Sequence, residues 1–237
     1  MKVFNRTTLG LATLAFLSPA LQAADFTVTI ENLTRGTYFT PLAVAAHPAG
    51  TSLFTSGEPA SAEVQAIAEG GDISGAGALL TSLGATQANN PAGGLLDPGA
   101  STTAALNTDN TGNTLLSVLA MILPTNDGFV ALNSITIPTS AGTYTYYANA
   151  YDSGTEANDE LRGSGAPGEP GFPVPPPLEA TGTLGSNGTG LSGSAEGFIH
   201  IHRGVLGDTD NAGGISDINS TVHRWLNPVA KITITVN

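Results

Sequence analysis

The 237-residue sequence contains no cysteine. No disulfide framework can form, so a fold outside a reducing compartment must rest on its apolar core or on a bound metal. Basic residues are scarce. Lys and Arg number 7 against 19 Asp and Glu, for a formal charge of −12. That balance excludes the electrostatic attraction that drives binding to nucleic acid or to anionic membrane surfaces. It fits solubility in a salty medium and it fits cation binding, and acidity alone does not separate the two. Long apolar runs are missing as well. Residues 9–17 form a short one, about half of what a bilayer-spanning helix needs, and no later stretch is long enough. Neither a His-Glu-x-x-His pair nor a nucleophile elbow occurs.

The chain opens with the three parts of a signal peptide. Lys2 and Arg6 supply a basic region, residues 9–17 the apolar one, and Ser18-Pro19-Ala20 a break, with Ala23 a small residue at the expected cleavage point. The expectation is removal of residues 1–23 and a periplasmic or secreted domain over 24–237. Without Lys2 and Arg6, five basic residues face the 19 acids, a net charge near −14. Glycine and proline are abundant, at 30 and 15, and point to many turns.

Strand patterns dominate. Phe26, Val28 and Ile30 alternate with Thr27, Thr29 and Glu31, as in a half-buried strand. Ile232, Ile234 and Val236 alternate with Thr233 and Thr235, and a first and last strand of like pattern are expected to pair. Residues 38–47 read as a second strand with a bulge or edge at Pro41. Residues 101–107 read as another, followed by a polar turn at 108–112. Residues 59–68 are the best helix, with proline in the first turn, a stripe of Val64, Ile67 and Ala68, and Gly70-Gly71 as the stop. Residues 76–83 suit a second short helix. Residues 161–177 form a proline-rich loop long enough for a lid or binding loop. The expectation is all-β: an antiparallel β-sandwich with one or two short helices in an insertion.

The most informative stretch is 115–160. Apolar runs at 115–123 and 129–137 flank Pro124-Thr125-Asn126-Asp127-Gly128, whose Asn, Asp and Gly favour a hairpin turn. If 144–151 pairs next to this hairpin, the acidic loop from Tyr151 to Glu160 lies at the same end. Asp127, Asp152, Glu156 and Asp159 then come within reach of one another, an oxygen-rich set suited to Ca²⁺. The competing reading is that these acids cap turns. Farther on, residues 196–205 read as a strand with Phe198, His200 and His202 on one face and Ile199 and Ile201 on the other. Two histidines two apart, with His223 as a third, suit zinc. Polar residues decorating an exposed sheet face give the same pattern.

Several of these motifs, in order, resemble the N-terminal domain of spondins. Residues 117–123, then Pro124-Thr125-Asn126-Asp127, then 129–132, and later Tyr151-Asp152-Ser153-Gly154-Thr155-Glu156 match the family's apolar run, its Pro-Ser-Pro-Asp-like turn, its strand and its Trp-Asp-Ala-Gly-Thr-Asp-like loop. The Asn-Asp turn followed by Asp-x-Gly-Thr-Glu looks like the bacterial branch, and the ending at 223–230 is similar too. The resemblance runs from about Phe26 to the end. It implies a C2-like β-sandwich with a calcium site at one end, and adhesion or matrix binding. The chain departs from the animal pattern at Gly128 and Tyr151, where that pattern has Trp, and in lacking cysteines.

The expected function is therefore an exported, calcium-binding, non-enzymatic module that recognises an extracellular surface or matrix ligand, with no nucleic-acid partner and no membrane span. The alternatives are a metal-dependent hydrolase using His200, His202 and His223, and a purely structural matrix protein.

Overall fold

A computed structural model describes residues 25–237; the expected leader and its cleavage point lie outside them. Ten strands follow in chain order: β1 (Asp25–Asn32), β2 (Tyr38–Phe39), β3 (Ala43–Pro48), β4 (Thr86–Gln87), β5 (Ser101–Asn107), β6 (Asn113–Leu123), β7 (Gly128–Thr136), β8 (Gly142–Asp152), β9 (His200–Ile201) and β10 (Ala230–Val236). Three helices accompany them: α1 (Ala62–Gly70), α2 (Ser74–Ser82) and α3 (Pro176–Glu179). Every pairing between these strands is antiparallel.

The strands run in one hydrogen-bonded path, β4-β3-β6-β7-β8-β10-β1-β5. β8 makes the path continuous. Its first part, Gly142 to Ala148, pairs with β10, and its last, Asn149 to Asp152, pairs with β7. The edge strands β4 and β5 also approach each other, so the sheet curls nearly into a barrel instead of dividing clearly into the two layers of the expected sandwich. The first and last strands pair as expected, from Phe26 opposite Val236 to Asn32 opposite Ala230.

The curl encloses one large core. Phe26, Val28 and Ile30 of β1 meet Ile232, Ile234 and Val236 of β10, with Leu116, Val118 and Ile122 of β6 across from them. β1 and β10 alternate between buried and half-buried residues because water reaches their other face. β6 does not alternate: Leu116 to Leu123 are all buried. Its second face, with that of β7, lies under α1, where Val64, Ile67 and Ala68 pack on Leu119, Phe129 and Ala131. The helical insertion is therefore the cover of a central hairpin.

Local differences have local causes. α1 begins at Ala62, not at Pro59, because the Ser61 hydroxyl accepts the Val64 N–H and caps the helix. Gly71, at φ 66°, closes the other end, its N–H and that of Asp72 returning to the Ile67 and Ala66 carbonyls. The second strand splits into β2 and β3 around Pro41, which lacks a ladder donor. The strand expected over 196–205 shrinks to two residues, and its alternation fails. Ile199 and His202 are buried, whereas Phe198 and Ile201 are 42 and 49 % exposed. Among the described residues, no helix is long and apolar enough to cross a membrane.

Candidate functional site

The β6–β7 turn and the loop after β8 meet at one end of the sheet, as the hairpin geometry predicts. Register explains it: Gly128 stands opposite Asp152, so the turn before one residue faces the loop after the other. Two side chains of the turn hold that loop. Asn126 donates from Nδ2 to Glu156 Oε1 (2.9 Å) and Asp159 Oδ1 (2.8 Å), and its Oδ1 accepts the Glu160 N–H (3.1 Å). Asp127 Oδ2 accepts from Ser153 Oγ (2.9 Å), Thr155 N (2.9 Å) and Glu156 N (3.2 Å).

Asn126 is a key residue that turn propensity alone does not single out. Replacing it with Ala removes three hydrogen bonds and leaves the Glu160 N–H without its acceptor. At about 1 kcal/mol per bond, plus the cost of unsatisfied buried groups, the loss expected is about 2–4 kcal/mol. Chemical denaturation of Asn126→Ala against the parent measures it.

The four expected calcium ligands do not form one cluster. Asp127 and Asp152 make the inner pair. Asp127 is fully buried, and its Oδ1 has no hydrogen-bond partner. Burial first, and the Asp152 charge second, push its carboxyl up to about 7, against the hydrogen bonds on Oδ2. Asp152, also buried, accepts from Gly154 N (2.8 Å) at Oδ1 and from Asn158 Nδ2 (2.8 Å) at Oδ2. Glu156 and Asp159 make the outer pair, joined through Asn126. Glu156 Oε1 also accepts the Gly171 N–H, while its buried Oε2 has no partner. Burial is the main cause that raises the Glu156 carboxyl, and the charges of Glu69 and Asp159 add to it.

Gly154 fixes where the loop lies. Its φ is +68°, and a Cβ there would fall 2.7 Å from the Phe198 nitrogen. The close approach lets Gly197 N donate to Gly154 O (2.8 Å) and brings residues 196–202 alongside Asp152. Gly128 is small for a similar reason: a Cβ would lie 2.7 Å from Thr125 Oγ1 and 3.1 Å from His202 Cδ2. At the other departure from the animal pattern, Tyr151 packs with Phe54 and Phe129, ring centroids 5.0 and 5.6 Å away.

The histidines are not arranged as the zinc reading requires. His223 is buried and occupied: Nδ1 lies 2.8 Å from Gly36 O and Nε2 3.2 Å from Thr183 Oγ1. Nor does His202 decorate a surface. It is 5 % exposed and packs 5.1 Å from the Trp225 ring, and burial pushes its imidazole down to about 4. His200 faces carboxylates, with Nε2 3.6 Å from Asp152 Oδ1 and 3.8 Å from Glu196 Oε2. Glu196 escaped the sequence reading, because an exposed acid in a Gly/Ser-rich stretch carries no periodic signal. So did Glu160, whose buried carboxylate accepts from Leu206 N, Gly207 N and Ser216 Oγ and anchors the following loop.

No curated protein matches the sequence. A family model does, over residues 29–170. The matched span holds Asp127, Asp152, Glu156 and Asp159; Glu196, His200 and the ending at 223–230 lie beyond it. It covers more than half of the 237 residues, and the chain belongs to the family described as Spondin_N.

Proposed function

We propose that this chain is an exported, calcium-binding, non-enzymatic module that takes part in adhesion or in recognition of an extracellular surface or matrix. The observation that carries calcium is the state of Asp127. A fully buried carboxylate keeps one oxygen without a donor, beside a second buried carboxylate. Above about pH 7 such a pair gives up its proton and leaves two buried charges side by side, which a cation would neutralise. Asp127 Oδ1 and the Asp152 carboxylate supply oxygens of the kind Ca²⁺ takes, and backbone carbonyls and water complete its usual six to eight. Glu156 and Asp159 support the site through Asn126. In this reading the two parts of the sheet that meet at β8 are the layers of a C2-like sandwich.

Calcium would tie the hairpin turn to the loop of residues 152–160 and set the shape of that end for a partner. A hydrolase built on His200, His202 and His223 has less support, since both ring nitrogens of His223 are engaged elsewhere. The test is binding of the mature domain to immobilised glycans and to cells, with calcium and with chelator. Calcium-dependent binding, reduced in Asp127→Asn, is the expected result. Equal binding in both conditions would separate adhesion from the metal.

A further inference from the structure

We propose a second cation site, for a zinc-type divalent ion, formed by His200 Nε2, Asp152 Oδ1 and Glu196 Oε2. Among the described residues, these three bring potential ligand atoms within 4.8 Å of one another. His200 Nε2 lies 3.6 Å from the Asp152 oxygen and 3.8 Å from that of Glu196. Both separations are too long for hydrogen bonds. They are close to the edge of a tetrahedron around zinc, about 3.4 Å for bonds of about 2.1 Å. One nitrogen and two carboxylate oxygens are a zinc-type donor set, whereas calcium takes oxygen.

The surroundings prepare these atoms. His200 Nδ1 lies 3.1 Å from the Ile201 carbonyl, which can only accept, so Nδ1 carries the proton. Nε2 then presents its lone pair to two carboxylates, and it is buried without a hydrogen-bond partner. Two acids facing a lone pair repel it unless a proton or a metal stands between them. On Asp152, Asn158 Nδ2 holds the other oxygen at 2.8 Å, the kind of outer contact that orients a ligand.

A second, independent observation comes from His202. It lines the same cavity as Asp152, Glu196 and His200, and it is 5 % exposed with Nε2 unpartnered. Its Nδ1 accepts the Gly204 N–H at 3.0 Å, so Nε2 carries the proton and needs an oxygen to receive it. Water on a bound ion provides one. The cavity is about 30 Å³. That is room for an ion and a water, and too little for an organic substrate. An ion here staples residues 196–202 to the end of β8.

The site stands apart from the calcium reading except for Asp152, which serves both. The test uses the mature chain stripped with chelator and titrated calorimetrically with Zn²⁺ alone, with Co²⁺ absorption reporting nitrogen ligation. One zinc per chain is expected. His200→Gln and Glu196→Gln should each weaken it by more than the roughly 10–100-fold that loss of an outer contact costs. Asp127→Asn should keep zinc, and His200→Gln should keep any calcium response. Far-ultraviolet circular dichroism in chelator shows that the variants fold. No zinc binding by the parent, or equal binding by the parent and His200→Gln, overturns the proposal. Loss of the calcium response alone overturns the other reading and leaves this one standing.

Discussion

In chelator, Asp127→Asn is expected to gain stability relative to the parent as the pH rises from about 4 to about 7. The Asp127 carboxyl sits near its ordinary 3.8 in the unfolded chain and is pushed up to about 7 in the fold. Below the first value both states hold the proton, and folding costs nothing at this group. Between the two values the unfolded chain releases its proton while the folded one keeps it, so stability falls as the pH rises. Above about 7 the loss is complete. About three units correspond to ~4 kcal/mol as an upper figure. In the parent alone this slope is masked. Burial lowers His202 to about 4, so its contribution grows with pH over much of the same window. The difference between parent and variant cancels His202. Urea denaturation of both proteins at pH 4, 5.5 and 7.5 reads it. A difference that does not change with pH would show that Asp127 keeps an ordinary pKa in the fold.

The second large effect expected is stabilisation by calcium. An ion that binds only the folded state stabilises it by about 2.7 kcal/mol at 100 times its dissociation constant, and by more as its concentration grows. Because the ion takes the place of the Asp127 proton, the gain should be larger at pH 7.5 than at pH 5.5. Asp152→Asn keeps size and one oxygen but removes charge, so it should reduce the gain. Asp109→Asn is the control. Asp109 belongs to an exposed turn in which its N–H and one carboxylate oxygen bond the Asn107 side chain. Thermal melts of the three proteins, with calcium and with chelator, decide between a shared site and acids that only cap turns. An equal shift in the parent and Asp152→Asn would favour the turn reading.

What could be read in the sequence depended on how many faces of an element water reaches. β1 and β10 stood out because half-buried strands alternate, and their pairing followed from the shared pattern. The β6–β7 hairpin was legible through its Asn-Asp-Gly turn, and with it the meeting of Asp127 and Asp152 at one end. The 196–202 segment misled, since its apparent alternation is not a strand's. Gly154 and the contact of Gly57 N with Ile199 O fix this segment from outside, turning His202 in and Ile201 out. No local pattern encodes that. The division of the acids was hidden for a similar reason. It depends on which oxygen each donor reaches, and Asn126 decides it with three bonds that composition cannot distinguish from an ordinary turn.

The most direct measurement is a calorimetric titration of the chelator-stripped protein with Ca²⁺ at pH 7.5, beside Asp127→Asn and Asp109→Asn. The account predicts one calcium per chain in the parent and in Asp109→Asn, and greatly weakened binding in Asp127→Asn. No heat of binding in the parent, or the same affinity in all three proteins, would contradict it.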